Sequence, residues 1–112
     1  MDFTQEQKMA MAKVLWDIVS VDGKIDSRET LFFETVKNDL HLSTEDHYAI
    51  LNLNTLRSLS SIKAMATEQK VLFAETMKDM ILADKYIDPN EAISFYDICN
   101  FLQITGVGLS TE

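Results

Sequence analysis

The sequence predicts an all-α fold, a compact helical domain made of two helix–turn–helix units that repeat each other, and three observations carry this. Glycine and proline are scarce, three and one in 112 residues, which leaves too few turn formers for a many-stranded β fold. Six Met accompany many Leu, Ala, Glu and Lys, residue types that lose little side-chain freedom in a helix. A shift of 62 residues also overlays the chain on itself without a gap. Glu6-Gln7-Lys8 falls on Glu68-Gln69-Lys70, Ala12 on Ala74, Asp17 on Asp79, and Asp22 on Asp84. Ile25-Asp26 falls on Ile87-Asp88, Glu29 on Glu91, Phe33 on Phe95, and Leu40 on Leu102. These identities mix surface and core residue types, so helical periodicity alone does not produce them. The expected organisation is one domain over residues 1–112, with repeat halves at about 4–42 and 66–104.

Thr4 is placed to cap a first helix running to about Val21, with Met11, Val14, Leu15, Ile18 and Val19 on one face. The matching stripe in the second half is Phe73, Thr76, Met77, Met80 and Ile81, with Thr76 its polar member. A second helix follows in each half, starting near Ser27 and Pro89. Leu31, Phe33, Val36 and Leu40 mark its expected buried face in the first half, and Phe95, Ile98 and Leu102 in the second. Between the halves, Ser43 with Asp46 three residues on reads as an N-cap pair opening a helix that carries Tyr48 and Leu51. Residues 52–65 are rich in Leu and Ser and are expected to hold one or two short helices. The tail from Thr105, with Gly106 and Gly108, is expected to turn or fray.

Composition limits the function classes. Hydrophobic residues make up 46% of the chain and charged residues 25%, ordinary values for a folded domain. A net charge of −8 disfavours a phosphate backbone as partner, so no nucleic-acid binding is expected. Cys99 is the single cysteine, which rules out an internal disulfide or a Cys-based zinc site and fits a reducing compartment. No segment reaches the roughly 18 apolar residues of a membrane helix. The N-terminus has no signal-peptide apolar run. A cytoplasmic protein without direct membrane insertion is the expectation.

The two turns between paired helices are acidic. Asp22-Gly23-Lys24-Ile25-Asp26-Ser27-Arg28-Glu29 and Asp84-Lys85-Tyr86-Ile87-Asp88-Pro89-Asn90-Glu91 share the pattern D-x-x-I-D-x-x-E. The pattern is like the back half of an EF-hand loop, but the loop's first and third positions would be Ile18 and Ser20, or Met80 and Leu82. An apolar first ligand position in both copies defeats that assignment. Helix capping accounts for most of the acids. Asp26 with Glu29, and Asp88 with Glu91, have N-cap and N3 spacing, Pro89 falls at N1, and Gly23 supplies a residue that tolerates positive φ. Each cap is worth about 0.5–2 kcal/mol. Asp22 and Asp84 are left over, since a carboxylate at a helix C-terminus opposes the dipole. They are the acids expected to help hold a weakly bound hard cation, Ca²⁺, Mg²⁺ or Mn²⁺, or to meet a basic partner.

The stretch Val21-Asp22-Gly23-Lys24-Ile25-Asp26-Ser27-Arg28-Glu29, with its second copy Ala83-Asp84-Lys85-Tyr86-Ile87-Asp88-Pro89-Asn90-Glu91, resembles the acidic motif of the tellurite-resistance TerB family. That domain in turn resembles the helical domain of some DnaJ-like membrane co-chaperones. The resemblance implies an all-helical, internally duplicated, non-catalytic cytoplasmic module in bacterial stress or tellurite-resistance-type processes, working beside a protein partner. Carried over residue by residue, it implies metal ligands at Asp22, Asp26 and Glu29, and at Asp84, Asp88 and Glu91. The second copy departs from the pattern in carrying Lys85 where the first has Gly23. The alternative is a helical protein-interaction adaptor without a metal site, in which the acids are only caps.

His41 and His47 lack the i, i+4 spacing of a helical metal pair and are expected to be solvated surface groups. Cys99 is expected to be a buried structural thiol, and Trp16 a half-buried edge of the core. Met9, Met11, Met77 and Met80 have core spacing. No P-loop, nucleophile elbow or H-E-x-x-H motif is present, so no enzyme active site is expected. A carboxylate hydrolase would need a pocket that separates two carboxyl pKa values.

Overall fold

The structure, a computed structural model, describes residues 2–20, 27–84 and 88–109, without the Asp84 side chain. Among the described residues six helices follow in order: α1 Gln5–Val19, α2 Ser27–Asp39, α3 Thr44–Leu51, α4 Thr55–Lys63, α5 Thr67–Ile81 and α6 Pro89–Leu102. A single 3-10 turn, Leu82–Asp84, extends α5. No strand occurs among the described residues, so the all-α expectation holds.

The caps explain where the helices start. Thr4 Oγ1 accepts from the Gln7 N–H at 3.1 Å, while the Gln7 side chain accepts from the Thr4 N–H at 2.9 Å. Ser43 and Asp46 make the same reciprocal pair at 3.0 and 2.9 Å. Asp46 has its carboxyl held below the usual range by the backbone bond from Ser43. Asn54 Oδ1 accepts from the Arg57 N–H at 2.9 Å and opens α4, which places one helix in the 52–65 stretch. Asp88 Oδ1 accepts from the N–H groups of Asn90 and Glu91 at 2.8 and 3.2 Å, so it is the expected N-cap of α6, with Pro89 at N1. The corresponding expectation for Asp26 falls outside the described residues.

Helix bounds follow the 62-residue offset: α1 and α5 run from 5 and 67 to 19 and 81, and α2 and α6 begin at 27 and 89. The C-terminal ends also correspond. His41 and Gln103 both take the left-handed conformation, at φ 57° and 59°. The next residues, Leu42 and Ile104, donate from their N–H groups to the carbonyls of Lys37 and Cys99, each at 2.9 Å. This is a Schellman closure with a buried apolar residue beyond it, achieved here without glycine. Over its described residues, to Leu109, the tail turns. Gly106 supplies φ +85°, and Leu109, 4% exposed, donates from its N–H to Tyr96 Oη at 3.1 Å.

α1 packs against α2, α3, α4, α5 and α6, and α4 lies along it over the greatest length. Its expected apolar face is buried throughout, as are Phe73, Met77, Met80 and Ile81 of α5. One expectation fails in α2. Leu31 is 69% exposed, because the buried stripe runs through Glu29, Phe33 and Lys37, spaced four apart. Two of its three members are charged and carry no hydrophobic signal, whereas Phe33 is buried and Val36 and Leu40 are half-buried as expected. α6 buries the corresponding stripe Glu91, Phe95 and Cys99.

Candidate functional site

The acidic corners lie where paired helices meet. At the first, Ser20 closes α1 by donating from its hydroxyl to the Trp16 carbonyl at 3.0 Å, and α2 starts at Ser27. Asp22 and Asp26 lie outside the described residues between them. At the second, the 3-10 turn ends at Asp84, whose side chain is not described, and Asp88 caps α6. Glu29 and Glu91 occupy the third position of their helices and are each only 3% exposed. Asp88 and Glu91 therefore share one helical turn, with Asp88 Oδ1 committed to the backbone N–H groups. Ala83 lines a shallow depression with Arg28, Leu31, Phe32 and Thr35, so the start of the second corner lies against the first turns of α2. Among the described residues no group of three His, Cys, Asp or Glu side chains is placed to share a metal. Three of the six candidate carboxylates fall outside that description.

Burial separates Glu29 and Glu91 from the other acids. They are the two buried carboxylates among the described residues. Capping alone does not require this, since the caps at Thr4 and Ser43 work on the exposed surface.

A second cluster escaped the sequence reading. Trp16 of α1 and Phe33 of α2 stand 5.2 Å apart, and His47 of α3 meets both edge-on, at 5.5 and 5.9 Å. Lys37 Nζ lies 3.0 Å from His47 Nδ1, 5.6 Å from the Phe33 ring centroid and 3.1 Å from Glu34 Oε1. His47 is thus half-buried and bonded, not the solvated surface group its spacing suggested, whereas His41 is exposed. Trp16 is half-buried as expected. Only the Phe33–Lys37 spacing of four on one helix hints at the cluster, because the other members come from separate elements. Desolvation and the Lys37 charge hold the His47 pKa below 6.5, against an opposing pull from Glu34. Between the folded value and 6.5 the unfolded chain binds more protons, so His47's contribution is full above about pH 6.5 and is lost as pH falls from there through the lower folded value. Urea stability of the wild type is expected to fall more than that of His47→Gln between about pH 7.5 and about pH 5.5. Parallel pH profiles of the two proteins would refute the linkage.

Cys99 is buried, and desolvation pushes its thiol pKa up, which suits a packing group and not a nucleophile. No described helix is long and apolar enough to cross a membrane.

With this geometry in place, comparison with known proteins bears on the fold. A crystal structure of PG1108 from Porphyromonas gingivalis W83, a protein of unknown function, matches over 97% of this chain and 91% of its own. The TM-score is 0.78 at 19% sequence identity, so the two share an all-α fold. No protein-family model and no curated protein matches the sequence.

Proposed function

We propose that this chain is a non-catalytic, TerB-like helical module that takes up a hard divalent cation, or a basic segment of a partner, at its duplicated acidic corners. The observation carrying this reading is the duplication of the acidic corner, with Glu29 and Glu91 spaced 62 residues apart, both at the third position of their helices and both buried. Asp22 and Asp84, which follow α1 and α5 in sequence and which capping does not use, are the natural further oxygen donors, and oxygen sets of this kind suit Ca²⁺, Mg²⁺ or Mn²⁺. A cytoplasmic place in bacterial stress or tellurite-resistance-type processes accompanies the family resemblance.

The test is a titration of the full chain with Ca²⁺, Mg²⁺ and Mn²⁺, followed by amide shifts, line broadening for Mn²⁺, and thermal melting. Saturable changes confined to about residues 20–29 and 82–91 are expected, with Kd about 10⁻⁴–10⁻³ M because no full EF-hand ligand set is present. Asp22→Asn and Asp84→Asn are expected to abolish the response while the helical spectrum is retained. If millimolar ion neither perturbs these segments nor raises Tm, the cation reading fails and the adaptor reading replaces it.

A further inference from the structure

Helix α4 occupies a groove between α1 and α6. Its Thr55 and Leu59 meet Val14 and Ile18 of α1 and Ile98 of α6 around one small depression. Thr55 Oγ1 donates to Asp17 Oδ2 at 2.7 Å, and Ser61 Oγ donates to Glu6 Oε1 at 3.4 Å. Lys63 Nζ lies 4.8 Å from the Phe101 ring centroid of α6. Under this cover Ala10 and Val14 are 3% and 1% exposed.

The positions 62 away form a second groove, between α5 and α2, which also pack against each other. No described helix of the chain covers it, and Phe3 of the N-terminal segment lines part of it. Leu72, equivalent to Ala10, is 40% exposed, and Thr76, equivalent to Val14, is half-buried. A cavity of about 220 Å³ runs here, with Leu72, Phe73 and Thr76 on one wall, Val36, Asp39 and Leu40 on the other, Met11 and Leu15 of α1 at its floor, and Phe3 beside it. Val36 and Asp39 are the equivalents of Ile98 and Phe101, the α6 residues beside α4. The rim is acidic. Asp39, Glu68, Glu75 and Asp79 are all exposed, and Glu68 and Asp79 are the equivalents of Glu6 and Asp17, the carboxylates that α4 engages with hydroxyls.

We infer that the α2–α5 groove is a docking site for a short, basic amphipathic helix of a partner protein, seated as α4 is seated between α1 and α6. The apolar floor takes the helix's i, i+3, i+4 side chains. Glu68 and Asp79 take lysine or arginine where α4 presents Ser61 and Thr55. The net charge of −8 favours encounter with such a segment. This surface is separate from the ends of the acidic corners, so the metal titration and the docking test succeed or fail independently.

The probe is a fluorescein-labelled synthetic peptide of residues 53–66 carrying Thr55→Lys and Ser61→Lys, titrated against the full chain by anisotropy and amide shifts. Saturable binding is expected, with shifts gathered on residues 36–40 and 68–79 and weakening as salt rises. The peptide without the two lysines is expected to bind at least about fivefold more weakly, and Leu72→Asp in the full chain to weaken the lysine peptide at least about tenfold. Thr76→Lys, placing a like charge in the groove, provides a second variant should Leu72→Asp lose its helical spectrum. No saturation by about 1 mM peptide, or shifts confined to the α1–α6 face, would overturn the inference. Sedimentation showing a dimer of this chain that Leu72→Asp dissociates would overturn it too, assigning the groove to a second copy.

Discussion

Phe33→Ala and Phe95→Ala are each expected to destabilise the fold by about 3–5 kcal/mol, the largest single-residue effects the structure points to. Both rings are fully buried, at 0% exposure, one turn beyond the buried Glu29 and Glu91. Deleting a ring removes its transfer free energy and leaves a cavity that close-packed helices refill only in part. Against a typical total of about 5–15 kcal/mol, either loss consumes a large share of the stability. The neighbours set the difference between the two. Phe33 contacts Trp16 and His47 and carries the Lys37 cation over its face, so its removal also loosens the polar cluster of α2 and α3. Phe95 meets Tyr96, whose hydroxyl holds the tail at Leu109. Urea unfolding measures both. A loss below about 1 kcal/mol for either would show that the stripe is not the core of its helix pair.

Ile62→Ala is expected to cost about 2–5 kcal/mol and to release α4 first. At nine residues α4 is far too short to be stable by itself, so tertiary contacts hold it. Ile62 is its fully buried anchor at 0% exposure, and Ser58, 5% exposed, lies one turn before it. The hydroxyl bonds to Asp17 and Glu6 are each worth only about 0.5–1.5 kcal/mol, or somewhat more with a charged acceptor, and do not replace it. Amide exchange of residues 55–63 is expected to accelerate well ahead of α5 in the variant. Unchanged protection of α4 would place its anchorage elsewhere. Because α4 covers the groove equivalent to the open one, the same variant probes how much free energy such a groove draws from a single apolar anchor.

The sequence by itself determined the helical class, the helix starts at Thr4, Ser43 and Pro89, the buried faces of α1 and α5, and the burial of Cys99. Capping chemistry and a 3.6-residue period are local, so the chain states them directly. It also marked the six acids of the corners, whose spacing is legible without a fold. It misplaced Leu31 and missed the burial of Glu29, Lys37 and Glu91, because a stripe that buries charge carries no hydrophobic signal. It took His47 for a surface group, since the partners that bury it, Trp16, Phe33 and Lys37, stand on two other helices. Tertiary structure alone decided that α4 fills one of two equivalent grooves and that no described helix covers the other. Sequence can show that Ala10 and Leu72 correspond, but which of them is covered depends on where a nine-residue helix finds its apolar anchor, and that is a property of packing.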